Sequence, residues 1–242
     1  MPCRLNDESS KERTSRVEHV RRAILDQIRP ANIVGTDAPW QQRKSSEMRI
    51  RILEASLDCL VERGYARLST SEITLRGGIS RGAMHHHFPT RMALVAAAVE
   101  YALYRRMGIF LKDYFYAIGV EGRNTNIVAA ATEAYWRSVQ TREYAAYLEL
   151  AIAARTDAEL NSHFLPLARK FDRVWREEMV KTFPEWQGLG DKLQLANDFA
   201  IAAHLGLLLN RPVLGQGKRS RQLRDLILKV IEDIHDVDKT GS

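Results

Sequence analysis

The chain has 242 residues, 45% hydrophobic and 27% charged, with 36 Lys and Arg against 30 Asp and Glu for a net charge of +6. That length can bury the core of one large or two modest domains, and no apolar run approaches the roughly 20 residues that a membrane span needs. The two cysteines, Cys3 and Cys59, are too few for a disulfide framework, and the polar stretch after Met1-Pro2-Cys3-Arg4 lacks the apolar core of an export signal, so a cytoplasmic protein is expected.

Residues 1–39 read as an N-terminal extension. Its first 15 residues are polar, and Val17, Val20, Ile24 and Ile28 then recur at helical spacing, predicting a short helix over about 15–28 that Pro30 stops. Three roles stay open for that helix: reaching DNA, docking on the body, or ordering only in a complex. Residues 30–39, with Pro30, Gly35 and Pro39, read as a linker.

A helix is expected over about 41–63, with Ile50, Leu53, Leu57, Leu60 and Val61 as its stripe and Gly64 as its stop. Ser69 then caps a second helix, and Glu72 completes a Ser-x-x-Glu capping box. Gly77-Gly78 offer the positive φ of a tight turn, Ile79 plugs the core, and Ser80 caps a third helix over about 81–86. Phe88-Pro89 ends that helix, and Thr90 caps a long fourth one with a stripe of Leu94, Val95, Ala98, Val99, Ala102 and Leu103. Two short helices joined by a glycine turn form a helix-turn-helix, which places one helix in the DNA major groove.

Beyond residue 103 no strand pattern occurs. Helices are expected over about 126–139, 142–154, 157–183 with Pro166 inside it, 192–210 and 220–235. The 192–210 helix is apolar around much of its circumference, which calls for burial on most sides, in a core and a subunit interface together. The fold class is therefore all-α, with a helix-turn-helix domain over 40–91 and a larger helical domain over 92–240. Charge is segregated to match: residues 40–108 hold 11 Lys/Arg and 6 Asp/Glu, whereas residues 109–242 hold 18 of each. A basic head on a neutral body suits a polyanionic partner for the head.

Residues 46–103 resemble the DNA-binding domain of the TetR/AcrR family of bacterial transcriptional regulators. The resemblance runs through Ile52-Leu53-Glu54-Ala55, Gly64-Tyr65, Ser69-Thr70-Ser71-Glu72-Ile73, Gly78-Ile79-Ser80 and the exit from Met84 to Arg91, about a quarter of the chain. It implies a homodimer whose body admits a small molecule, tilts the fourth helix and respaces the two reading helices, most often to release a repressor from DNA. Carried over, it places Ser80, Arg81 and Gly82 at the start of the reading helix, with Arg81 able to donate twice to guanine. It places His85 where the family usually has a phosphate-touching tyrosine, followed by His86 on the DNA side. Thr70 offers a hydroxyl and a helix N-terminus to phosphate, and Thr90 and Arg91 stand where serine and lysine are usual. Ala83 replaces the usual threonine and lacks its hydroxyl. Thr74 and Gly77 stand where alanines are usual.

Three adjacent histidines, His85, His86 and His87, fan out about 100° apart on a helix, so they do not converge on one ion; no metal or other cofactor is expected. Aromatic residues of the body, Tyr114, Tyr135, Trp136, Tyr147, Phe164, Phe171 and Trp175, are candidates to line an effector pocket, with His163, His204, Glu133 and Glu149 as polar anchors, and plain core packing as the competing reading. Leu207, Leu208, Leu223, Leu226, Ile227 and Val230 are candidates for a four-helix dimer interface. No phosphate loop, nucleophile elbow or paired-histidine motif points to an enzyme. The expected function is a ligand-responsive repressor that binds double-stranded DNA, a small apolar or aromatic effector and a second copy of itself, with no membrane partner. The alternative is a helical binding or scaffold protein whose head no longer binds DNA.

Overall fold

The computed structural model describes residues 10–35, 37–120, 126–182 and 188–236. Among them every regular element is helical: α1 Ser10–Gln27, α2 Trp40–Arg63, a 3-10 turn Tyr65–Arg67, α3 Thr70–Gly77, α4 Arg81–His87, α5 Arg91–Val120, α6 Ile127–Ser138, α7 Arg142–Ala153, α8 Ala158–Thr182, α9 Asp191–Leu209, α10 Arg211–Leu214 and α11 Lys218–Asp236. No helix of the described residues is long and apolar enough to cross a membrane. Residues 1–9 of the expected polar start, Cys3 among them, lie outside the described residues, and α1 begins at Ser10, ahead of the expected start near residue 15.

The chain divides into two compact units, with divisions inside α1, α5 and α8 and one between α6 and α7. The head unit holds Leu25–Gly108 and Gln140–Val174. Within it α2 packs on α3, α7 and the 3-10 turn, and α3 packs on α4. Its core takes Leu53, Leu57 and Leu60 of the predicted stripe together with Ile52, closed over by Ile73, Met84, Phe88, Leu94 and Val95, whereas Ile50 of that stripe is half-buried and Val61 is 40% exposed. Tyr144 and Leu150 of α7 are buried with them. Leu-rich stripes of this kind supply most of a helical unit's stability, at about 25 cal/mol per Å² of apolar surface buried. The end of the N-terminal extension is docked here: Ile28 and Pro30 are buried, and the Val34 N–H donates to the buried Ser46 hydroxyl at 3.2 Å.

The second unit holds the described parts of Met1–Ile24, Ile109–Val139 and Trp175–Ser242. Here α11 packs on α9 and α6, and the short α10 links α9 to α11. Pro166 is accommodated within the single helix α8. Within the chain α9 is covered only in part: Leu195 and Leu209 are both more than half exposed.

Candidate nucleic-acid interface

Three capped helix starts frame the head. Ser69 Oγ accepts the Glu72 N–H at 3.2 Å, Ser80 Oγ accepts the Ala83 N–H at 3.1 Å, and Thr90 Oγ1 accepts the Ala93 N–H at 3.0 Å. The capping box is one-sided, because the Glu72 carboxylate faces Arg63 at 3.6 Å. Between α3 and α4 the chain turns through Gly78, at φ 57° and ψ 43°, with the Ile79 N–H donating to Thr74 O at 2.9 Å. That six-residue closure is a Schellman ending, and only Gly78 supplies the left-handed conformation. Gly77 is helical and is small for another reason: a Cβ there would stand 2.4 Å from Ile79 Cδ1. The sequence assigned both glycines to the turn; Gly77 instead makes room for the plug residue.

Met84 and Phe88 anchor α4 from below, each 3% exposed. Ser80, Arg81, Gly82, His85 and His86 are exposed, and Ala83 and His87 are half-buried. A Cβ at Gly82 would meet nothing, so its smallness serves no packing need within the chain. Arg81 pairs with no carboxylate among the described residues, whereas Arg76 is clamped by both oxygens of Glu62. Burial lowers the His87 pKa, with the charges of His86 and Arg49 adding to it, so His87 is neutral at pH 7. The Arg49 guanidinium covers the Phe88 ring at 4.2 Å and donates to His87 O at 3.3 Å. No group of three His, Cys, Asp or Glu side chains able to hold a metal occurs among the described residues.

Thr70, the first residue of α3, is exposed, as are Thr90 and Arg91. Arg91 is also held in place. Its Nε donates to Leu68 O at 3.3 Å, its Nη1 to the Tyr65 hydroxyl at 3.5 Å, and its guanidinium lies 5.0 Å from the Tyr65 ring centre. Tyr65 in turn donates to Asp157 Oδ2 at 2.9 Å, while Asp157 Oδ1 caps α8 at Leu160 N, 2.9 Å away. The backbone N–H of Leu160 and the Tyr65 hydroxyl hold the Asp157 carboxyl below its usual range.

A second polar cluster, which the sequence reading missed, fastens α2 to α7 and α5. Arg142 Nη1 donates to Asp58 Oδ1 at 2.6 Å, and its Nη2 reaches both Glu54 Oε2 and Glu143 Oε1, the latter at 3.1 Å. The Tyr101 hydroxyl donates to Glu54 Oε1 at 2.5 Å, and Arg105 stands 3.6 Å from Glu54 and 3.5 Å from Glu143. Burial pushes the Glu54 pKa up, but the hydrogen bonds from Tyr101 and Arg142 and the charge of Arg105 outweigh it and leave it lowered. The alternation of Glu54 and Asp58 at i,i+4 placed both on one helix face; their partner Arg142 lies more than 80 residues away and left no local signal.

The second unit holds a cavity of about 100 Å³ lined mainly by apolar groups. Phe110 and Tyr114 are stacked with ring centres 5.6 Å apart, and Trp175 meets Phe110 edge-on at 5.0 Å. Tyr135 closes against Phe110 at 5.9 Å, and its hydroxyl is buried with no hydrogen-bond partner among the described residues. Of the seven aromatic residues put forward for a pocket, Tyr114, Tyr135 and Trp175 line this cavity. Trp136 packs beside it on His204 at 5.8 Å, whereas Tyr147 and Phe164 stack on each other at 5.7 Å in the head unit, where Phe171 is also buried. His204 is a satisfied core histidine, with Nδ1 2.7 Å from Ala200 O and a pKa lowered by burial. His163 is exposed, Glu133 pairs with Arg224 at 3.3 Å, and Glu149 is half-buried near Gly64. Phe110, Arg176 and Gln194 line the cavity and were not singled out from the sequence, although the i,i+4 spacing of Phe110 and Tyr114 signals a shared helix face.

Of the six residues put forward for a dimer interface, Leu207 and Ile227 are buried in this unit's own core and Leu208 and Val230 are half-buried. Leu223 and Leu226 are exposed, Leu226 by 55%, and Val213 of α10 is 74% exposed.

Residues 52–98 match the family described as bacterial regulatory proteins, tetR family. An uncharacterized HTH-type transcriptional regulator of Mycobacterium bovis is 36% identical over 124 residues, covering 51% of this chain and 61% of that protein. The chain thus spans less than two thirds of the length of that curated relative. A solved TetR-family structure from Rhodococcus sp. superposes with a TM-score of 0.55 at 20% identity, covering 78% of this chain and 100% of the other. A transcriptional regulator of Streptomyces coelicolor superposes with a TM-score of 0.54 at 25% identity, covering 78% and 98%. Residues 52–98 thus carry the head of the TetR family of bacterial regulatory proteins, and the described residues share the all-helical fold of the solved TetR-family structure.

Proposed function

We propose that this chain is a DNA-binding transcriptional regulator, not an enzyme, acting in the cytoplasm as a homodimeric repressor on a palindromic operator. The observation that carries the reading is α4: Met84 and Phe88 fix its inner side, while Arg81, uncommitted to any described carboxylate, is exposed beside Gly82, His85 and His86. An arginine free to donate twice reads guanine O6 and N7 at about 1–3 kcal/mol per good pair. Thr70, Ser80, Thr90 and Arg91 contact phosphates and set the register, and Ala83 allows close approach without a hydroxyl contact. Residues 40–91 form the reading domain and 92–240 the ligand-binding and dimerisation domain, with 1–39 as an accessory extension.

The second copy is supported by the exposed Leu195 and Leu209 of α9, Val213 of α10, and Leu223 and Leu226 of α11. A two-fold pairing of these residues buries Leu223 and Leu226 against their own equivalents. The effector is small and largely apolar or aromatic, and the cavity beside Phe110, Tyr114 and Trp175 supports that reading. Selection from a pool of random duplexes at low salt tests the proposal: an enriched palindrome with half-sites about one helical turn apart is expected, and enrichment of no sequence overturns it.

A further inference from the structure

We propose that the effector is a small planar aromatic carboxylate whose ring enters the aromatic corner of the cavity and whose carboxylate meets Arg176. This rests on the reading of the chain as an effector-responsive regulator and names the chemical class of the effector.

The shape argues for one ring. Phe110 and Tyr114 present stacked faces with 21° between their planes, and Trp175 meets them at 64° and 73°, so the walls offer both face and edge to a flat guest. The volume of about 100 Å³ compares with the roughly 150 Å³ of an engineered protein cavity that takes up benzene, so a single ring matches it and its substituent projects outward.

The charge argues for an anion. No Asp or Glu is among the residues lining the cavity, so a cation would lose its water with no carboxylate to replace it. Attraction to aromatic faces alone offsets that loss only in part. Arg176 does line the cavity, is itself exposed, and pairs with no carboxylate among the described residues. Its Nη1 donates to Gln194 Oε1 at 3.1 Å, and Gln194 Nε2 donates onward to Asp198 Oδ1 at 2.8 Å, which fixes the amide and with it one edge of the guanidinium. The remaining N–H groups are free for a two-point carboxylate contact, the geometry in which arginine surpasses lysine. The buried, unpartnered Tyr135 hydroxyl in the same lining also favours an occupant with oxygen atoms over a pure hydrocarbon.

Calorimetric titration of the full chain, without DNA, tests this with benzoate, benzyl alcohol and benzylamine as probes. Benzoate is expected to bind at least about tenfold tighter than the other two. Arg176→Gln, at an exposed site that the fold tolerates, is expected to bring benzoate down to the level of benzyl alcohol and to leave benzyl alcohol unchanged. Trp175→Leu is expected to weaken both alike. Benzylamine binding as well as benzoate, an Arg176→Gln variant with unchanged benzoate affinity, or no benzoate binding at millimolar concentration would each overturn the proposal. Because DNA is left out, the pattern stands or falls separately from regulation: benzoate that binds as described yet leaves DNA affinity unaltered refutes the effector role and keeps the ligand class.

Discussion

Replacing Arg142 with alanine removes the cation that three carboxylates share. Arg142 and Arg105 together face Glu54, Asp58 and Glu143, so the variant leaves three anions around one arginine. Loss of one partner from a fully buried pair costs about 3–5 kcal/mol, whereas a solvent-exposed pair is worth about 0–1 kcal/mol. Here the arginine is 34% exposed and Glu143 is 9% exposed, which puts the loss between those limits, at about 2–3 kcal/mol. In a unit of this size that lowers the melting temperature by about 5–10 °C, measured by thermal unfolding at fixed protein concentration. The pH dependence adds a second check. The Glu54 pKa is lowered in the folded protein, so its contribution is complete above its unfolded value of about 4.3 and is lost as pH falls through the lower folded value. The gap between parent and variant should therefore be full at pH 7 and should narrow below about pH 4. A variant as stable as the parent at pH 7 to within about 0.5 kcal/mol would refute the account of this cluster.

Arg81→Ala should relax discrimination at one base position by about 1–3 kcal/mol, whereas Arg91→Ala should weaken binding to all duplexes alike and reduce the salt slope by about one; competition binding across single-base operator variants separates the two. Gly78→Ala should cost about 1 kcal/mol in urea unfolding, because alanine resists the φ of 57° that closes α3; an unchanged midpoint would contradict that reading of the turn.

The parts of this molecule that were legible in the sequence are those whose cause is local. Ser69, Ser80 and Thr90 cap the helices that they precede, Gly78 takes the left-handed turn, and Leu53, Leu57 and Leu60 of the α2 stripe are buried as their spacing predicts. Periodicity says which face of a helix is buried but not against what. For that reason Tyr114 and Trp175 meet in the cavity while Tyr147 and Phe164, equally aromatic and equally periodic, stack in the other unit. The same limit hid the Arg142 cluster and the hold that Tyr65 and Asp157 exert on Arg91, since both join residues separated by more than 80 positions along the chain. Gly77 looked like a turn glycine because its neighbour is one; only the 2.4 Å approach of Ile79 shows what its missing side chain is for.

The most direct measurement is the affinity of the full chain for its selected duplex and for a scrambled duplex of equal length and composition, each titrated at several salt concentrations with parent and Arg81→Ala proteins. The account predicts that the parent prefers the selected site by about a thousandfold or more at physiological salt, and that Arg81→Ala gives up about tenfold or more of that preference. Equal affinity of the parent for both duplexes would contradict the assignment of α4 as a reader of DNA sequence.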